Sequence, residues 1–149
     1  MLVLVYKLTH LTALGGLVLS LLCAAPAVAD NHGARPVQVD VELVLAVDVS
    51  WSMTKRELEI QRRGYAEALA SPAVAKAIAK GPIGRIALTY IEWGGEHWHR
   101  TIIDWTLIET RRDLQAFAGK LTIDVSKEWR KTSISGAIDY AVEKLRGNP

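Results

Sequence analysis

Glu42-Leu43-Val44-Leu45-Ala46-Val47-Asp48-Val49-Ser50-Trp51-Ser52 is the stretch whose reading decides the fold. A period-two pattern starts at Val37 and gives way to the continuous apolar run Leu43 to Val47. Alternation suits a strand with one wet face, whereas a continuous run suits a strand buried on both faces of a parallel sheet. A strand is therefore expected over Val37 to Val47. Asp48, Ser50 and Ser52 follow it at once, at the C-terminal edge where open α/β sheets bind ligands.

Downstream, Thr54 and Glu57 form a capping box, in which the hydroxyl accepts from a free helix amide and the carboxylate reaches back to the cap. The helix it opens is expected to run to about Leu69. Leu58, Tyr65, Ala66 and Leu69 share its packing face, and Lys55, Arg56, Glu59, Arg62 and Arg63 lie mostly on the solvent side. Ser71-Pro72 breaks this helix, Ala73 to Lys80 forms another, and Gly81-Pro82 ends it. Arg85 to Trp93, rich in β-branched and aromatic residues, predicts a strand. Gly94-Gly95 then turns the chain into an antiparallel edge strand over His97 to Trp105.

Thr110 with Asp113 caps a further helix whose apolar face is Leu114, Phe117, Ala118 and Leu121. Thr122 to Lys131 is polar and reads as a loop. Ile134, Ala137, Ile138, Ala141, Val142 and Leu145 then repeat with helical period, with Gly147 as the C-cap. This order predicts an α/β fold, a Rossmann-like doubly wound sheet. The strand that should come next would lie beyond Pro149, so the domain is expected to be C-terminally incomplete, with three strands and three or four helices.

Upstream, Lys7 precedes an apolar run from Leu11 to Leu22, and Ala27-Val28-Ala29 supplies the small residues a signal peptidase needs. Residues 1–29 are therefore expected to be a secretory signal peptide, 30–37 an exposed lead, and 38–149 the domain. The run is shorter than the roughly 20 apolar residues that span a bilayer, so no membrane span is expected after cleavage. Cys23 follows Leu21-Leu22, which does not suit a lipoprotein, and no twin-arginine pair is present. General secretion to the periplasm or the outside of the cell follows. Cleavage would remove Cys23, the single cysteine of the chain, leaving no disulfide and no thiolate chemistry.

The 149 residues, half of them hydrophobic, allow one globular domain, and a formal net charge of +2 leaves no basic stripe for nucleic acid. The chemistry therefore rests on the loop after the first buried strand. Carboxylate and hydroxyl oxygens in a tight turn suit a small hard cation such as Mg²⁺, without imidazole or thiolate. The adjoining helix N-terminus favours anions. Helix capping and satisfaction of loop amides account for the same residues equally well.

Beyond the residues taken singly, an apolar strand, Asp-x-Ser-x-Ser and a later Thr before a helix resemble von Willebrand factor A domains and their metal-ion-dependent adhesion site. More narrowly, Glu42 to Ser50, Gly84-Arg85-Ile86-Ala87-Leu88-Thr89-Tyr90-Ile91-Glu92-Trp93 and Thr132-Ser133-Ile134-Ser135-Gly136-Ala137-Ile138 are similar to the uncharacterised bacterial DUF1194 family of that type. The resemblance implies that Ser50, Ser52 and Thr132 contact Mg²⁺ or Mn²⁺, with Asp48 bound directly or through water. A protein partner's acidic residue would complete the shell. It also implies a strand order 3-2-1-4-5-6, so a chain lacking the fourth strand would expose its first strand as an edge. The third metal loop of such sites would lie beyond Pro149. Trp51 stands where A-type domains commonly have Gly, either at the rim of the site or packed over the first helix.

Other polar groups are weaker candidates. His97 and His99 share a strand face at a spacing that binds Zn²⁺, without an evident third ligand. Glu92 and Asp104 are expected to approach across the hairpin as surface residues, and Arg62-Arg63 and Arg111-Arg112 to lie on solvated helix faces. A metal-dependent protein-binding module, not an enzyme, is the expected function. Two alternatives remain open: a truncated fragment that binds nothing, and a phosphoryl-transfer hydrolase using Asp48. Against the hydrolase, Ser50 stands where such enzymes want a second acid, and the serines lack a Gly-x-Ser-x-Gly elbow.

Overall fold

The computed structural model describes residues 2–8, 36–121 and 131–148. A four-stranded sheet has the order β1-β2-β3-β4, with β1 Leu2–Leu8, β2 Val41–Asp48, β3 Ile86–Trp93 and β4 His99–Ile108. The helices are α1 Lys55–Ala70, α2 Pro72–Ala79, α3 Arg111–Lys120 and α4 Ile134–Arg146. This is a mixed α/β fold of Rossmann-like kind. β2 and β3 run parallel, joined by α1 and α2, and β4 returns antiparallel to β3. The expected order of the three predicted strands is met in β4-β3-β2.

Alternation along β2 and β3 sorts their side chains to two faces. Leu45, Val47, Leu88 and Tyr90 pack with Leu69 of α1, with Leu114, Phe117 and Ala118 of α3, and with Leu121. Val74, Ala75 and Ile78 of α2 lean on the same cluster. On the opposite face Val44, Ala46, Ile91 and Trp93 meet Ala137 and Ala141 of α4. The apolar run of β2 is therefore buried from both sides, as its composition requires.

Both predicted capping boxes form. Glu57 N–H donates to Thr54 Oγ1 at 3.2 Å while Thr54 N–H donates to Glu57 Oε2 at 2.6 Å, and Thr110 and Asp113 repeat the arrangement at α3. The hairpin turn is longer than Gly94-Gly95: Gly94 N–H donates to Trp98 O and Trp98 N–H to Gly95 O. β4 consequently starts at His99 rather than His97. The register of the β3/β4 pair shifts on either side of Tyr90, and Ile102 and Ile103 both pack into the α1/α3 cluster, as at a β-bulge.

Three expectations are corrected. First, β2 is not a bare edge. Residues 2–8, set apart from the fold on sequence grounds, pair antiparallel with it, Leu2 opposite Val47 and Leu8 opposite Val41. An unpaired edge offers a row of free N–H and C=O groups, and Leu-Val-Leu-Val-Tyr-Lys-Leu has the strand propensity to take them. The apolar run Leu11 to Leu22, Cys23 and the cleavage motif Ala27-Val28-Ala29 lie outside the described residues. Second, the α4 stripe is rotated: Gly136, Ala137 and Ala141 are buried, whereas Ile134 and Ile138 are exposed. Small residues let the helix backbone approach the sheet closely, and the larger isoleucines turn outward. Third, Arg62 and Glu92 are buried rather than solvated.

The turn before β3 is fixed by Asp40, whose carboxylate accepts from the amides of Ile83 at 2.8 Å, Gly84 at 2.7 Å and Arg85 at 3.2 Å. Gly84 has φ +80°, which a side chain would strain.

Candidate functional site

Asp48 is the last residue of β2, in register with Trp93 at the end of β3. Its parity with Val44 and Ala46 sets its side chain on the α4 face of the sheet. The loop leaves the sheet tied to it, since Val49 N–H donates to Trp93 O at 2.9 Å. Asp48 Oδ1 accepts Ser50 N–H at 2.8 Å, and Met53 N–H donates to Ser50 O at 3.2 Å, folding Ser50 to Met53 into a turn. That turn brings Ser50 Oγ within 3.2 Å of Ser52 Oγ. Asp48 and Ser50 are 6% and 1% exposed, while Ser52 is exposed.

Thr132 approaches from the start of α4. Ser133 N–H donates to Gly94 O at 3.0 Å, directly after the Trp93 that neighbours Asp48. Ser133 caps α4 by accepting from Gly136 N–H at 3.2 Å, and Thr132 immediately before it is exposed. Gly136 permits this docking, because a Cβ there would stand 2.7 Å from Glu96 O. Topology thus brings Thr132 to the same C-terminal edge as Asp48, Ser50 and Ser52. The preceding loop, residues 122–130, lies outside the described residues.

The donor set fits a small hard cation. Two neighbouring ligands of an octahedral Mg²⁺, each about 2.1 Å away, stand about 3 Å apart, close to the separation of the two serine hydroxyls. Asp48 adds a carboxylate at the same turn. Among the described residues no group of three or more His, Cys, Asp or Glu could hold a metal ion, so a cation here depends on hydroxyl ligands, as Mg²⁺ chemistry allows. Trp51, between the two serines, is 58% exposed.

A family model described as a protein of unknown function, DUF1194, matches residues 38–149. The chain belongs to the DUF1194 family. No curated protein and no solved structure matches it.

In this DUF1194 chain a buried charge network lies on the opposite face from Asp48. Glu92 is 1% exposed and is bonded by Arg62 from α1 and, at 3.2 Å, by Arg100 from β4. The expected Glu92 and Asp104 pair does not form, because Glu92 stands opposite Arg100 and Asp104 bonds Lys144 at 3.3 Å. Burial pushes the phenol of Tyr90 far above its ordinary value, with the charge of Glu92 adding to the effect, so it stays protonated beside the arginine. The sequence carried a signal for this network. Arg62 follows Leu58 by one helical turn on the buried stripe, and Glu92 is the one charged residue of β3.

His97 is exposed and His99 half-buried. His99 stacks on Tyr140 with centroids 5.0 Å apart and planes at 14°, and desolvation, reinforced by His97, lowers its pKa. The stacking of His99 on Tyr140 of α4 was not readable from the hairpin sequence.

Proposed function

We propose that this DUF1194 protein is a secreted module of von Willebrand factor A type that binds a protein partner through Mg²⁺ or Mn²⁺. Ser50, Ser52 and Thr132 act as ligands, and Asp48 binds the cation directly or through water. The partner supplies an acidic side chain, which binds a cation whose protein ligands are mostly neutral hydroxyls. The observation that carries this reading is the convergence of Ser50 Oγ and Ser52 Oγ to 3.2 Å beside the buried Asp48. A turn built only to cap α1 has no need of it, since Thr54 already performs that task. Trp51 adds an exposed aromatic surface beside the cation, of the kind that anchors interfaces.

The role of the module is binding without turnover, and export through the leader removes β1. Cleavage after Ala29 then frees the edge of β2 for a further strand. Mass spectrometry of the exported protein tests that step, with a mature N-terminus at Asp30 as the expected result.

The metal reading is tested by thermal unfolding of the full chain with increasing Mg²⁺. Selective binding to the folded state stabilises it by about 2.7 kcal/mol at 100-fold excess over Kd. Asp48→Ala and Ser50→Ala should abolish the shift, and Thr132→Ala should weaken it. Absence of any shift in the unsubstituted chain refutes metal binding. Hydrolysis of a phosphate ester that disappears in Asp48→Asn would replace the binding module with an enzyme.

A further inference from the structure

A cavity of about 390 Å³ opens between the turn before β4 and α4, and the metal reading makes no use of it. Glu96 and His97 line it from the turn, His99 from β4, and Asp139, Tyr140 and Glu143 from α4. Gly136 forms part of its wall, which keeps the helix close to the turn. The cavity is at the lower end of the volume range of small-molecule pockets, about 300–1,000 Å³.

Its charge is one-sided. Three carboxylates reach it from two separate elements, and no Lys or Arg lines it among the described residues. The imidazole of His99 does not offset them. Its Nε2 is buried without a hydrogen-bond partner, so a proton there would be an unsatisfied donor, and burial accordingly lowers its pKa despite the pull of Glu143 and Asp139. At neutral pH His99 is an uncharged aromatic wall. That wall is held in place: the ring stacks on Tyr140, and Tyr140 Oη is 3.0 Å from Thr101 Oγ1.

Carboxylates around a fixed aromatic pair are the chemistry that recognises organic cations, by charge at the rim and by the ring quadrupole at the wall. A bare metal ion is a poorer occupant, because no three of these groups converge to hold one. We infer that this cavity binds a protonated amine or guanidinium, carried by a small organic amine or by a basic side chain of a peptide. A planar guanidinium can both stack on the aromatic wall and pair with carboxylates.

The test is NMR titration of the full chain with n-butylguanidinium, following the ring signals of His99 and Tyr140. n-Butylurea serves as the neutral planar counterpart. Saturable shifts with the cation and none with the urea are expected. Affinity should fall about ten-fold or more when Asp139→Asn and Glu143→Gln remove two charges. Both residues are exposed, so the fold should survive, and an unchanged far-UV spectrum checks this. Glu96→Gln, on the opposite wall, provides a second variant with a smaller expected loss. An acetylated and amidated Gly-Arg-Gly peptide distinguishes the sources: tighter binding than n-butylguanidinium indicates a peptide ligand, and exclusion of the peptide indicates a small amine. The inference is overturned if n-butylguanidinium gives no saturable shift, if n-butylurea binds equally well, or if the charge-removing variants leave affinity unchanged.

Discussion

On one face of the sheet, large side chains of two helices interlock with those of the strands: Leu69 of α1, Leu114 and Phe117 of α3 and Leu88 of β3 are all buried. On the other, among the described residues, one helix, α4, meets the sheet through Ala137 and Ala141, and its isoleucines Ile134 and Ile138 stay exposed. The first face has the construction of a folding core, in which buried apolar area and dispersion contacts accumulate. The second is built for close approach, because small residues bring the α4 backbone near the strand ends that carry Asp48. Stability and the candidate site are thus largely assigned to different faces, and substitutions should separate them.

The largest effects are expected on the α1/α3 face. Glu92→Ala would leave Arg62 buried without its carboxylate and should cost about 3–5 kcal/mol, measured by denaturant unfolding. Phe117→Ala should cost a similar amount, about 3–5 kcal/mol, through the lost burial and the cavity left behind. If either is tolerated with little loss, the description of this face as the folding core is broken.

An intermediate effect is expected where α4 docks. Gly136→Ala places a methyl group against Glu96 O and should cost about 1–3 kcal/mol. It should also reduce Mg²⁺ stabilisation, because Thr132 is displaced with the helix start. A loss of stability with an undiminished Mg²⁺ response would show that the docking of α4 does not position the metal ligand.

Smaller still is the cap of α3. The hydroxyl of Thr110 and the amides of Glu109 and Thr110 hold the Asp113 carboxyl below its ordinary range. A lowered carboxylate pKa adds stability that is present above the unfolded value and lost as pH falls through the folded one. Asp113→Asn should therefore differ from the unsubstituted chain at pH 7, and the difference should shrink in acid below the ordinary carboxylate range. The smallest effect belongs to the exposed side of α4: Ile138→Ser should change stability by no more than about 0.5 kcal/mol. A larger loss would mean that this side is packed in solution, which would sharpen the contrast between the faces.

Local signals made much of this readable. The apolar run Leu43 to Val47, the boxes Thr54/Glu57 and Thr110/Asp113, and the break at Ser71-Pro72 each act within a few residues, so spacing alone located β2, α1, α3 and the start of α2. Asp48, Ser50 and Ser52 were legible for the same reason, since one turn joins them. Thr132 was legible only by resemblance, because no local pattern links it to Asp48.

What the sequence could not decide was which partner each residue meets. Arg62 lies on the buried stripe of α1 by period, yet its charge argued for solvent until Glu92 of β3 and Arg100 of β4 were brought to it. The α4 stripe has helical period, but whether Ala137 or Ile138 faces the sheet depends on how near the turn at Glu96 allows the backbone to come. His97 and His99 had no evident third metal ligand in sequence, and Asp139 and Glu143 reach the same cavity only through packing. The sequence by itself determined the elements, their order and the Asp48 turn, because hydrogen bonding and periodicity are short-range. The tertiary structure decided the charge network, the rotation of α4, the pairing of residues 2–8 and the cavity, because each depends on distances between segments far apart in the chain.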